Sequence, residues 1–259
     1  YHFPLRSLKY CLDYFRIKLS DIDIICNDFM DHRRSFRTSN NYRLLVGDFI
    51  RSRLKIDKQK YNFIDSHHLA HAYTAFWPSG FKKATVLIVD GLGSNQQTHS
   101  IYLMDRNGNN KLIFEQKGQG IGALYSLITA QLGFKTGEEG KTMGLAPYGA
   151  NYNSQDKNLP DLKGKFDGLT TDYSRQMVRS PSFKLKFNIK KPNKKKEVYN
   201  KYYTRLAFNL QNETERCLIH LSKKAIEITG CNNLVFAGGV ALNCVANSNL
   251  KHLKHVKKF

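Results

Sequence analysis

His67 and His71 stand four residues apart in His67-His68-Leu69-Ala70-His71. On a helix this spacing puts both imidazoles on one face, about 6 Å apart along the axis, where both reach a single ion. It is not the His-Glu-x-x-His of zinc peptidases, because position 68 is His and no glutamate base is present. The pair reads either as two ligands of a divalent metal or as two part-buried structural histidines. His68 points off that face, toward a supporting or substrate-facing role. Asp90 closes an apolar run and is followed by Gly91 and Gly93. A carboxylate there faces a crevice where a metal or phosphate can approach bare backbone, or it belongs to an ordinary Asp-Gly turn.

Two glycine segments complete the candidate chemistry. Gly238-Gly239 joins a buried strand to a helix, so free N–H groups and the helix dipole can receive a phosphate or ribose. It is neither a phosphate-binding Walker loop nor a G-x-G-x-x-G, and tight packing explains such a turn equally well. Residues 137–149 (GEEGKTMGLAPYG) combine glycines, charges of both signs and a rigid proline, and the stretch Gly133 to Gly149 reads as a functional loop. Lys141 is its candidate for an anionic substrate group.

The elements that must position these residues follow from periodicity. Leu5, Leu8, Leu12, Phe15 and Ile17 recur at near-helical spacing, and Ile22 to Cys26 reads as a short strand. Residues 30–42 read as a polar loop, Leu44 to Leu54 as an amphipathic helix and Tyr61 to Ile64 as a strand. Asp65-Ser66 caps a helix from His67 to about Phe76, which Pro78-Ser79-Gly80 stops. Thr85 to Val89 is an apolar, β-branched strand buried on both faces. Ser100 to Met104 and Leu112 to Gln116 flank the turn Arg106-Asn107-Gly108-Asn109 as a meander. Helices are expected from Gly122 to Leu132 and from Tyr203 to Thr229, the second closed by Gly230. Residues 150–200 read as loop with short helices, Leu234 to Ala237 as a last strand, and the chain after Gly238-Gly239 as a helix to about Leu253. Three antiparallel strands, a helix, then strand–helix alternation describe an α/β fold with a ribonuclease-H-like lobe. A boundary near residues 80–84 separates residues 1–83, a partial first lobe, from residues 84–259, a second.

Composition limits the function classes. The 259 residues are 41% apolar and 12% aromatic, enough for a substantial core. Mean hydropathy is −0.49, and no apolar run approaches the roughly 18–20 residues of a membrane span. Against 21 acidic residues stand 41 Lys and Arg, a formal +20. That excess steers toward nucleic acid, anionic surfaces or phosphorylated substrates, or reflects a Lys- and Asn-rich background composition. Eight of the lysines fall between Lys184 and Lys201, a solvated loop or an interaction segment. Cys11, Cys26, Cys217, Cys231 and Cys244 are scattered with no C-x-x-C pair, which fits free thiols in a reducing, cytoplasmic compartment.

Four ordered strings carry a resemblance: Asp65-Ser66-His67-His68-Leu69-Ala70-His71-Ala72; Val89-Asp90-Gly91-Leu92-Gly93; Glu139-Gly140-Lys141-Thr142-Met143-Gly144-Leu145-Ala146-Pro147-Tyr148-Gly149; and Ala237-Gly238-Gly239-Val240-Ala241-Leu242-Asn243-Cys244-Val245-Ala246-Asn247. Together they resemble the N-terminal region of the O-carbamoyltransferases that decorate nodulation factors and antibiotics. The resemblance implies an actin/Hsp70-like fold of two ribonuclease-H-like lobes around a nucleotide cleft, here incomplete at both ends. It implies ATP and carbamoyl phosphate as substrates, carbamoyl adenylate made by a YrdC-like domain missing from this chain, and transfer to a hydroxyl of a small-molecule or sugar acceptor. His67, His71 and Asp90 would then hold a divalent metal, iron first. Gly238, Gly239 and Asn243, with Glu139 and Gly91, would line the nucleotide site; Lys141, close by, and His68 would be catalytic, His68 as the candidate to deprotonate the acceptor. Two other readings remain: the related tRNA threonylcarbamoyl-transfer enzymes, which share the His-x-x-x-His and Gly-Gly-Val-Ala strings, and a nucleotide-binding interaction module without catalysis.

Overall fold

A computed structural model of the chain describes residues 5–28, 58–64, 66–152, 158–179 and 183–259. The loop expected over 30–42, the helix expected over 44–54 and the cap at Asp65 lie outside these residues. The chain divides into two compact units, Tyr1–His67 and His68–Phe259.

In the first unit, α1 (Leu5–Phe15) ends where Arg16 turns to a φ of 54°. A 3-10 turn at Leu19–Asp21 precedes strand β1 (Ile25–Asp28), which begins three residues later than expected. It pairs in parallel with β2 (Tyr61–Ile64), Ile25 opposite Tyr61.

The second unit opens with α2 (His67–Phe76), whose first residue alone falls on the other side of the division. Its sheet runs β10 (Leu234–Ala237), β3 (Lys83–Val89), β4 (Gln97–Asp105), β5 (Asn110–Lys117). The β10–β3 pair is parallel and the others antiparallel, so the sheet is mixed. Strand alternation sends Ala84, Val86 and Ile88 to one face, against Ala72 and Phe76 of α2. Leu87 and Val89 go to the other, against α3 (Ile121–Gln131), α5 (Lys201–Thr229) and α6 (Cys244–Lys251). The β3 run is apolar throughout because both of its faces are covered. Asn200 caps α5 by accepting from the Tyr203 N–H at 3.1 Å, and Gly230 ends it in the left-handed region at φ 67°.

Two expectations are corrected. The stretch from Gly133 to Gly149 is not all loop: Glu139–Leu145 forms the helix α4, followed by a 3-10 turn, Ala146–Gly149. Thr142, Leu145 and Ala146 are buried at helical spacing, while Gly140 and Gly144 face open space. Packing of one face outweighs the low helix propensity of the glycines on the other. Within 150–200 the structure forms two hairpins, β6 (Lys165–Asp167) with β7 (Thr170–Asp172) and β8 (Met177–Arg179) with β9 (Phe183–Leu185). Strands of three residues are too short to show a period of two.

One buried group gives the fold a pH dependence. The His99 imidazole is 2% exposed and shares its Nε2 proton with the Leu169 carbonyl at 2.8 Å. Burial pushes its pKa down from 6.5 to about 4, against a smaller upward pull from that carbonyl. Between those values the unfolded chain binds a proton that the folded chain refuses, so stability falls as pH falls. The shift amounts to about 3 kcal/mol by pH 4. Urea midpoints at pH 7 and pH 5 should show a loss that shrinks in His99→Gln; an equal loss in both proteins would assign it elsewhere.

Candidate functional site

The parallel strands β3 and β10 end side by side, Ile88 opposite Ala237. In the same register Val89, the last residue of β3, comes beside Gly238, and Asp90, the first beyond the strand, comes beside Gly239. Crevices beyond the carboxyl ends of parallel strands are where α/β sheets bind ligands. Gly238 has φ 97°, and a Cβ on it would stand 2.3 Å from the Val89 carbonyl oxygen. A Cβ on Gly239 would stand 2.7 Å from Asp90 Oδ1. Only glycine lets the two strand ends come this close.

Asp90 is buried, and its Oδ1 accepts from the Gly91 N–H at 2.7 Å. Its Oδ2 lies 3.3 Å from His71 Nε2. His67, His71 and Asp90 each offer a ligand atom, all within 4.8 Å of one another. Two ligand bonds of about 2.1 Å to one ion span at most about 4.2 Å, so atoms held up to 4.8 Å apart close on it after a small side-chain adjustment. The i,i+4 spacing on α2 brings the two imidazoles together, and the end of β3 supplies the carboxylate.

Asp90 also forms one wall of a cavity of about 540 Å³. Tyr125, Glu139, Met143, Leu242 and Asn243 contribute side chains to it, and Gly91, Gly140 and Gly239 contribute bare backbone. Glu139 Oε1 accepts from Ser126 Oγ at 2.8 Å. Burial raises the Tyr125 phenol above its ordinary pKa, with Glu139 and Glu215 adding to the effect, so it stays a neutral hydroxyl. Asn243 caps α6 from the cavity floor, its Oδ1 accepting from the Ala246 N–H at 3.1 Å.

The structure thus brings seven of the ten sequence-derived candidates together: His67, His71 and Asp90 as one cluster, with Gly91, Gly239, Asn243 and Glu139 on the adjoining cavity wall. Gly238 lies just behind, against β3. His68 is fully buried, with Nδ1 2.7 Å from Ser100 Oγ and its ring beneath Gly93. Lys141 projects from α4 and donates to Glu138 Oε1 at 2.6 Å, off the cavity wall. Sequence reasoning missed Tyr125, Ser126 and Met143, whose spacing on apolar or glycine-rich helices carries no polar signature.

A carboxylate, a histidine pair and a glycine turn gathered at two parallel strand ends of a mixed sheet have the layout of the crevices where α/β proteins bind ligands. The chain belongs to the carbamoyltransferase family: residues 25–258 match the family described as Carbamoyltransferase N-terminus. It is 30% identical over 264 aligned positions to Nodulation protein NolNO of Sinorhizobium fredii, an alignment covering 95% of this chain and 37% of that protein. Uncharacterized protein MJ1051 of Methanocaldococcus jannaschii is 32% identical over 230 positions, 81% of this chain and 41% of that one. Nodulation protein NolO of Bradyrhizobium diazoefficiens is 27% identical over 188 positions, 71% of this chain and 33% of its own length. The chain spans about a third to two fifths of the length of these curated relatives. Among the described residues no helix is long and apolar enough to cross a membrane.

Proposed function

We propose that this chain is the nucleotide- and metal-binding part of an O-carbamoyltransferase that moves a carbamoyl group from carbamoyl adenylate, itself derived from ATP and carbamoyl phosphate, to an alcohol or sugar hydroxyl. The observation that carries the reading is the double role of Asp90, which belongs both to the His67–His71–Asp90 cluster and to the wall of the 540 Å³ cavity. A nucleotide in the cavity would present its phosphate end to that cluster. Two imidazoles and one carboxylate with open positions suit ferrous iron among the common divalent ions. When bound, such an ion supplies Lewis acidity that polarises a carbonyl or phosphoryl oxygen.

The chain's own residues do the rest. The Gly91 N–H holds Asp90 Oδ1 and leaves Oδ2 toward His71. The glycine turn 238–239 brings backbone close to the anionic ligand without side-chain interference. Met143, Val240 and Leu242 provide apolar wall for a base or sugar face. In this reading the domain is one half of an actin/Hsp70-like cleft, and a carbamoyl-adenylate-forming domain supplies its substrate.

Gly140 gives a test that separates binding from folding. On α4 a methyl at this position would meet no protein atom within 4 Å, yet Gly140 is part of the cavity wall. Gly140→Ala should gain about 0.5–1 kcal/mol of stability from helix propensity alone. Its ATP affinity, read by calorimetry, should fall at least tenfold because the methyl occupies ligand space. Unchanged ATP binding in a stabilised variant would place the nucleotide elsewhere. Transfer of label from carbamoyl phosphate to an alcohol, with ATP and the full-length protein, tests the reaction itself.

A further inference from the structure

Behind the cavity, α5 contributes a polar chain that none of the sequence motifs contains. Gln211 is 4% exposed. Its Oε1 accepts from Tyr125 OH at 3.2 Å and from Asn243 Nδ2 at 2.8 Å. Its Nε2 donates to Glu215 Oε1 at 2.7 Å and to Asn243 Oδ1 at 3.1 Å. Glu215, one turn along the same helix, accepts from Asn249 Nδ2 of α6 through its other oxygen at 2.7 Å.

The orientation of both amides follows from groups that can play only one part. A carboxylate only accepts, so the Gln211 end facing Glu215 must be the NH₂. A backbone N–H only donates, so the Asn243 end facing Ala246 must be the oxygen. The two anchors agree, and the paired amides match donor to acceptor at both contacts. Both Gln211 N–H groups are then spent. Asn243 Nδ2 has two hydrogens and, among the described residues, one acceptor, Gln211 Oε1. Asn243 lines the cavity at 8% exposure.

We propose that Gln211, anchored by Glu215, is a positioning residue that makes Asn243 a hydrogen-bond donor toward an acceptor atom of the nucleoside in the cavity. This rests on the reading of the cavity as a nucleotide site and adds a selection rule to it. A ligand carrying a ring nitrogen or an oxygen lone pair at that place is accepted. One that presents an N–H there meets another N–H and is rejected.

The test titrates adenosine and ATP separately into the full chain from pH 5.5 to 8, following thermal unfolding alongside. Adenosine does not ionise across this range, so any pH dependence of its binding belongs to the protein, and each variant is read against the wild-type profile. In Gln211→Glu the new carboxyl faces Tyr125 of α3 and Glu215 of α5, with Glu139 of α4 beyond Tyr125. Protonated, its single O–H can still donate to one of the two acceptors that the amide served, Glu215 Oε1 or Asn243 Oδ1. Ionised, it sets a carboxylate against Glu215 and Asn243 Oδ1. Adenosine affinity should therefore fall about tenfold from pH 5.5 to 8 in this variant and recover on acidification. A loss of packing alone would lower affinity equally at both ends of the range. Asn243→Asp keeps an oxygen for the Ala246 cap, since Asp caps as well as Asn does, and removes the donor. It should weaken adenosine at least tenfold at pH 8. Wild-type binding with no change in either variant overturns the positioning role and leaves the nucleotide site standing. Absence of binding of both ligands by the wild type overturns the nucleotide site and this proposal with it.

Discussion

Purified anaerobically and loaded with ferrous iron, the wild-type chain should carry about one metal per molecule and His67→Ala less than a tenth of that. The expectation follows from the geometry of the cluster, whose ligand atoms lie within 4.8 Å of one another. Removing one of three ligands leaves a histidine and a carboxylate 3.3 Å apart. Groups that merely support metal ligands already cost 10–100-fold in affinity when lost, and a ligand should cost at least the upper end of that range. Elemental analysis after gel filtration reads the result directly, with circular dichroism at matched concentration to show equal folding. Equal metal in both proteins would remove His67 from the site. None in either, after reconstitution, would return the pair to the structural-histidine reading.

The second large effect is on folding. Gly238→Ala should lower stability by about 4 kcal/mol, measured as a shift of the urea midpoint with unchanged slope. Two costs add: a backbone of φ 97° and ψ 171° that is nearly exclusive to glycine, worth about 1–3 kcal/mol, and overpacking of similar size. The overpacking has a named partner, the Val89 carbonyl 2.3 Å from the new methyl, which cannot retreat without moving Asp90. Gly137→Ala is the control. Its φ of 89° is equally unsuited to alanine, but nothing lies within 4 Å, so it should pay only the conformational cost. Equal losses in the two variants would show that the close approach of the strand ends is not under steric tension.

Much of this site is legible in the sequence because its chemistry sits at element boundaries. His67 and His71 announce themselves by helical spacing, and α2 spans the expected Phe76 limit. Asp90 and Gly238-Gly239 mark the ends of apolar strands whose register then brings them together. What stayed hidden depends on tertiary packing. The helix α4 contains two glycines in seven residues and reads locally as loop; its buried face at Thr142 and Leu145 exists only once α3 is beside it, where Thr129 and Thr142 share a hydrogen bond of 2.9 Å. Gln211 sits in the middle of a 29-residue amphipathic helix among other polar residues. Its importance comes from partners on α3 and α6, 86 and 32 positions away in the chain.

The pairing of β10 with β3 also sets the order in which the cleft can be assembled. Leu234 lies opposite Thr85, so these two paired strands are separated by almost 150 residues of intervening chain. Antiparallel β3, β4 and β5 can form early from neighbouring sequence, but the glycine wall facing Asp90 must wait for β10. At synthesis rates of about 5–20 residues per second, that interval is roughly 7–30 s. Over that time β3 presents an unpaired edge on a strand that is apolar on both faces, the kind of surface that nascent chains hand to chaperones. Completion of the wall opposite Asp90 therefore waits on β10, the last of the four strands of this sheet to be synthesised.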